Sequence, residues 1–229
     1  PVRATFETRD QRRQTANVWV GGDGEMRLGR WRVAGSLTLD DIQIFKSGRA
    51  TDEEPPSLAL TATVARPLGP LRLWLGYTLV SNLMYRPIEQ AERPYDAVEP
   101  GRGRLGTGLA RNYSDYDELS LRVSGVPLPG VLLSPEITLV RQGEGDFRLP
   151  QPPISEYPTT PTMFTGVVER LVRAGLSATV ELAGYATVEG SAAVHLRSNA
   201  GHVAGAKDTE FVGGALVRLR LGRSFTVEP

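Results

Sequence analysis

The chain contains no cysteine. A disulfide scaffold, a thiolate metal site and a cysteine nucleophile are therefore excluded. No apolar run reaches the ~18 residues that a membrane-spanning helix needs. Barrel strands alternate in polarity and escape that test. Neither sign of charge is in excess, with 26 Lys and Arg against 26 Asp and Glu in 229 residues. A nucleic-acid partner, which calls for a basic face, is not expected. Aromatic residues make up only 7%, sparse for two interfacial girdles. Helical periodicity is hard to find anywhere. No cofactor motif is legible: "GGDG" (21–24) is followed by neither a helix nor Lys-Ser/Thr, so it is no phosphate loop. The opening "PVRATFETRD" has no Met and no leader, and reads as a fragment or a processed chain.

What is present is alternation, punctuated by 25 Gly and 17 Pro. "QTANVWVGGDGEMRL" (14–28) sets Val18, Val20, Met26 and Leu28 against Asn17, Trp19, Asp23, Glu25 and Arg27. "LRLWLGYTLV" (71–80) sets Leu71, Leu73, Leu75, Tyr77 and Leu79 against Arg72, Trp74, Gly76 and Thr78. Similar segments cover 31–45, 57–65, 117–125, 187–197 and 211–221. Several run to about fifteen residues, whereas globular strands usually have five or six. Pro135, inside "LLSPEITLV", is expected at a strand end or a bulge.

The connections alternate as well. Short ones fall at 28–30, 66–70, 126–130 and 182–185. Long ones fall at about 46–56, 87–114, 143–160 and 199–208. Tight turns on one side and long loops on the other are the pattern of outer-membrane barrels. The expected fold is thus all-β: an antiparallel transmembrane β-barrel of outer-membrane type with about ten strands, part of a larger barrel. Residues 1–229 are either one barrel domain or its C-terminal part.

Specific stretches add a resemblance. "LDDIQIF" (39–45), then a strand, a tight turn and "LRLWLGYTLVSNLMYR" (71–86), resemble the Wzi-type capsule assembly proteins. So does "LGTGLARNYSDYDELSLRV" (105–123), while "SPEITLVRQGEGDFRLP" (134–150) looks like a related outer-membrane sequence. The likeness covers roughly residues 30–145, and the family's N-terminal pattern is missing here. It implies the C-terminal portion of a larger barrel in the bacterial outer membrane, which holds capsular or exopolysaccharide at the cell surface.

Three sets of side chains carry candidate chemistry. Asp40 and Asp41 end a long strand, where a bulge would keep one carboxylate on the polar face while the apolar phase resets to Ile42 and Ile44. They contact a cation or sugar at the outer rim, or they pair with lumen arginines. The loop 87–116 holds Tyr95, Asp96, Tyr113, Asp115 and Tyr116, with Asp117 just beyond. Tyrosine faces with carboxylates suit a sugar ring, although an ordinary solvated loop has the same composition. "SDYDE" (114–118) could also hold calcium through Asp115, Asp117 and Glu118, without EF-hand spacing. The third set is the mixed-sign lumen charges: Asp23, Glu25, Arg27, Arg32, Arg72, Glu118, Arg122, Glu136, Glu189, Arg197, Arg218 and Arg220. They suggest ion pairs along the wall or a plugged interior more than a sign-selective constriction.

The only histidines, His195 and His202, match no nucleophile elbow even with Ser198 or Asn199 nearby. The expected role is therefore non-enzymatic and cofactor-free: surface polysaccharide attachment or assembly, in contact with outer-membrane lipid. A porin-like channel is the alternative, and a soluble β-sandwich binding module a further one.

Overall fold

The computed structural model describes residues 3–7, 17–40, 57–84, 114–146, 152, 154–182 and 185–219. Its strands are β1 (Arg3–Glu7), β2 (Asn17–Leu28), β3 (Trp31–Asp40), β4 (Ser57–Leu68), β5 (Leu71–Val80), β6 (Tyr116–Leu128), β7 (Val131–Gln142), β8 (Glu169–Leu182), β9 (Ala186–Ser198) and β10 (Lys207–Leu219). They form one ten-stranded antiparallel sheet in which each strand pairs with the next in sequence. Among the described residues β1 and β10 do not pair, so the sheet is not closed. The only helical pieces described are the 3-10 turns Ile154–Thr159 and Ala200–His202. No described helix is long and apolar enough to cross a membrane.

The short connections fall at residues 29–30, 69–70, 129–130 and 183–185, and the long ones at 41–56, 81–115, 143–168 and 199–206. A further long one, 8–16, joins β1 to β2 and has no counterpart in the sequence reading. In a meander, all the long connections leave from the same edge. Gly29 and Gly69 take φ near +60° at the first position of two-residue turns, where the right-handed twist of a hairpin favours glycine.

β2 to β10 run 10–14 residues, a little shorter than the alternation suggests. The strand read over 71–86 stops at Val80, because Asn82 donates its backbone N–H to Thr162 O (2.9 Å) across a loop. Pro135 lies inside β7, opposite Leu176 of β8, rather than at a strand end. The β6–β7 ladder passes from Arg122↔Glu136 to Gly125↔Leu133, then shifts register before Leu128↔Val131. Proline has no N–H to donate, and the interruption in pairing falls where Pro135 would have met β6.

The two faces differ sharply in polarity, and the apolar one is uncovered. One face carries Leu71, Leu75, Leu119, Leu121, Ile137, Leu139, Val172, Leu176 and Leu196, all exposed. Ile137 is 51% exposed and Phe211 83%. The opposite face buries Thr78, Ser120 and Thr138. The Ser120 and Thr138 hydroxyls hydrogen-bond each other across β6–β7 at 3.0 Å. The described residues supply no second sheet to cover the apolar face, as a sandwich would. The main apolar cluster is small and sits at the long-connection end of the polar face: Val80, Met84 and Tyr116, with Ala59 and Val140 against them.

Candidate functional site

The side chains of interest gather at the long-connection edge. β5 and β6 end there with their backbones paired at Val80↔Tyr116. Asp115 precedes β6 in the left-handed region (φ 58°), which Asp tolerates better than most residues. Its side chain is fully buried. The carboxylate accepts the backbone N–H groups of Gly145 (3.0 Å), Thr165 (2.9 Å) and Phe164, and the Thr165 hydroxyl. Its own carbonyl accepts Gly143 N–H at 2.8 Å. One residue thus ties the 143–168 connection to the start of β6. The approach is close enough to demand glycine: a Cβ at Gly143 would fall 2.1 Å from Asp115 Oδ2, and one at Gly145 would fall 2.3 Å from Asn82 Oδ1. Glu144 adds a second tie, giving its N–H to Thr165 O (2.9 Å) and accepting Val167 N–H (2.8 Å).

Asp117, two residues on, lies on the apolar face, where β6 and β7 pair Asp117↔Arg141. Arg141 grips it through both Nε (3.0 Å) and Nη2, and Tyr77 on β5 donates its hydroxyl to it at 3.1 Å. The Arg141 guanidinium also lies 4.5 Å from the centroid of the Phe164 ring. A charged and aromatic knot therefore marks the long-connection rim of the apolar face. At the other rim, Arg66 lies over the Trp31 ring at 4.7 Å.

The polar face carries a chain of ion pairs. Arg122 stacks on Trp74 (5.4 Å) and gives Nε to Glu136 Oε2 (2.7 Å). Glu136 also faces Arg173 at 3.8 Å. Arg197 bridges Asp208 and Glu210, each at 2.7 Å. Arg32–Glu25 (2.7 Å) and Arg218–Glu189 (3.4 Å) are further cross-strand pairs. Of the charges expected on this face, Glu25, Arg32, Arg122, Glu136, Glu189, Arg197 and Arg218 are thus engaged in cross-strand pairs.

Of the residues singled out from sequence, Asp40 is the last of β3, its backbone opposite Ser57. Asp41, Tyr95, Asp96 and Tyr113 lie outside the described residues, as does most of the proposed bulge. Asp115, Tyr116 and Asp117 are all buried, and each does a different job. Asp115 anchors a loop, Tyr116 packs with Val80 and Met84, and Asp117 pairs with Arg141. Asp115, Asp117 and Glu118 do not converge on a calcium site, because Asp117 and Glu118 are strand neighbours on opposite faces. Among the described residues no group of three or more His, Cys, Asp or Glu is placed to hold a metal ion.

His195 and Ser198 likewise fall on opposite faces of β9. His195 faces Glu210 at 3.5 Å, whereas His202 Nδ1 meets Val167 O at 2.8 Å. Sequence reasoning missed Asn82, Gly143, Gly145 and Thr165 as partners in the loop anchor. The Gly-x-Gly spacing in "QGEGD" (142–146) was the available signal. Compared with known proteins, the chain matches no family model and no curated protein.

Proposed function

We propose that this sheet is wall from a larger bacterial outer-membrane β-barrel, whose non-enzymatic role is to attach or assemble surface polysaccharide. The observation that carries the membrane reading is the uncovered apolar face, with Leu, Val and Ile exposed on it and Ser, Thr and ion pairs on the other. An uncovered apolar face of this extent is unfavourable in water and suited to lipid. On β8 the outward positions from Val172 to Leu182 carry no charge. Their span is about 34 Å along the strand, or about 25 Å of membrane thickness at ordinary barrel tilt. The free edges of β1 and β10 would pair with further strands, since lipid does not accept an open sheet edge.

The polysaccharide role rests on the resemblance to Wzi-type proteins and on the long connections sharing one edge, the side that outer-membrane barrels turn outward. The self-paired charges of the polar face support a wall more than a sign-selective pore.

The test takes the full-length protein. Cell fractionation should recover it in the outer membrane, and its gel mobility should differ with and without boiling. Replacing Tyr95, Asp96 and Tyr113 with alanine should leave that shift intact and reduce the polysaccharide retained on the cells. A soluble protein with no shift would overturn the barrel. An intact barrel that holds polysaccharide equally well after the triple replacement would remove the role assigned to those residues.

A further inference from the structure

Two features of the apolar face lie one above the other. The first is a row of cations. Arg141 pairs in register with Arg170, Arg170 with Ser198, and Ser198 with Lys207. These positions share the outward face at its long-connection rim. All three basic side chains are exposed. Arg141 is engaged by Asp117, but among the described residues no carboxylate pairs with Arg170 or Lys207. With strands about 4.8 Å apart, the row is about 14 Å wide.

The second feature is a shallow apolar depression on the same strands, lined by Leu121, Ile137, Ala174, Leu176, Ala192 and Phe211. Its floor is low where Ala174 and Ala192 stand between the larger side chains. Ala174 is four residues along β8 from Arg170, about 14 Å at strand rise.

Anion-binding groups at the rim and a smooth apolar hollow beneath them complement one molecule with both properties. We infer that Arg170 and Lys207 bind the phosphate of an anionic membrane lipid whose acyl chain lies in the depression. Arg141 completes the row as a cation already held in place by Asp117 and the Phe164 ring. This rests on the barrel reading, since the lipid reaches this face only in a bilayer. Basic residues at a membrane surface attract anionic headgroups with a strength of about fivefold in affinity each.

The test uses the full-length protein refolded in dodecyl maltoside, with phosphatidylglycerol or phosphatidylcholine added and retained lipid counted by native mass spectrometry. The wild-type protein should retain phosphatidylglycerol in preference. The double variant Arg170→Gln/Lys207→Gln should lose roughly tenfold or more in that affinity. Arg72→Gln, which removes one positive charge from the opposite face, should leave it unchanged. Inorganic phosphate should not displace the lipid.

Equal retention of the two lipids by a wild-type protein that shows the heat-dependent mobility shift would overturn the inference and leave the barrel standing. So would undiminished binding by a folded double variant, or complete displacement by inorganic phosphate, which would mark a free-anion site. Absence of the mobility shift in wild type would overturn both readings together. The wild-type comparison decides without any variant, so a misfolded variant does not stall the test.

Discussion

Asp115 is the residue on which the long-connection edge depends most. Four donors converge on one buried carboxylate, and charged hydrogen bonds of this kind contribute more than neutral ones. Asp115→Asn keeps the shape and tolerates the left-handed backbone, but places an NH2 against N–H and O–H donors. It should cost about 2 kcal/mol locally and speed proteolysis and hydrogen exchange at Phe164 and Thr165, with the mobility shift retained. Gly76 makes the opposite kind of demand. The Trp74 ring lies over it so closely that a Cβ would fall 2.3 Å from Cη2, and Arg122 stacks on the same ring. Gly76→Val should lower the urea midpoint by the equivalent of about 1–3 kcal/mol. In a Trp74→Ala background the same substitution should cost much less.

At the scale of the strand, what matters is which face a side chain takes. β5 alternates Leu71, Leu73, Leu75, Tyr77 and Leu79 with Arg72, Trp74, Gly76 and Thr78, and the register carries each set to matching neighbours on β4 and β6. Leu75 stands between Val64 and Leu121 in the middle of the apolar face. If that face meets lipid, Leu75→Arg should destabilise the folded barrel by about 2–4 kcal/mol, and Arg72→Leu by much less. The fraction of protein showing unboiled mobility after refolding measures both. Equal tolerance would reverse the assignment of faces. The facing pattern was legible in sequence over β2 to β6, β9 and β10, because period two leaves only two choices per strand; β7, interrupted by Pro135, and β8 showed theirs only in the register. Strand ends were not. Val80 ends β5 because Asn82 turns its N–H to Thr162 O, and nothing within ten residues of Val80 announces that partner.

Among the described strands, the long connections all leave from one edge and the tight turns from the other. If the sheet crosses the outer membrane in the usual orientation, protease added to intact cells should cut within 154–165 or 199–206. It should not cut at 29–30, 69–70 or 129–130 until the envelope is opened. Cleavage at the tight turns of intact cells would reverse the orientation. The ion pairs on the polar face belong to this scale as well. Arg122, Glu136 and Arg173 come from three strands, and Arg197 of β9 bridges two carboxylates of β10. Their mixed signs were readable in sequence, but their partners depend on register.

By itself the sequence determined the all-β class, the meander of long and short connections and the apolar and polar faces, because each follows from residues close together in the chain. Period two, glycine at tight turns and the spacing of polar stretches act locally. Only the tertiary structure decided what the acidic residues near β6 do. Asp115 and Asp117 look alike in "SDYDE", yet one meets donors from residues 145–165 and the other meets Arg141 and Tyr77. Those partners lie 24 to 50 residues away, and which of them a carboxylate finds depends on strand register and loop path, not on its neighbours in sequence.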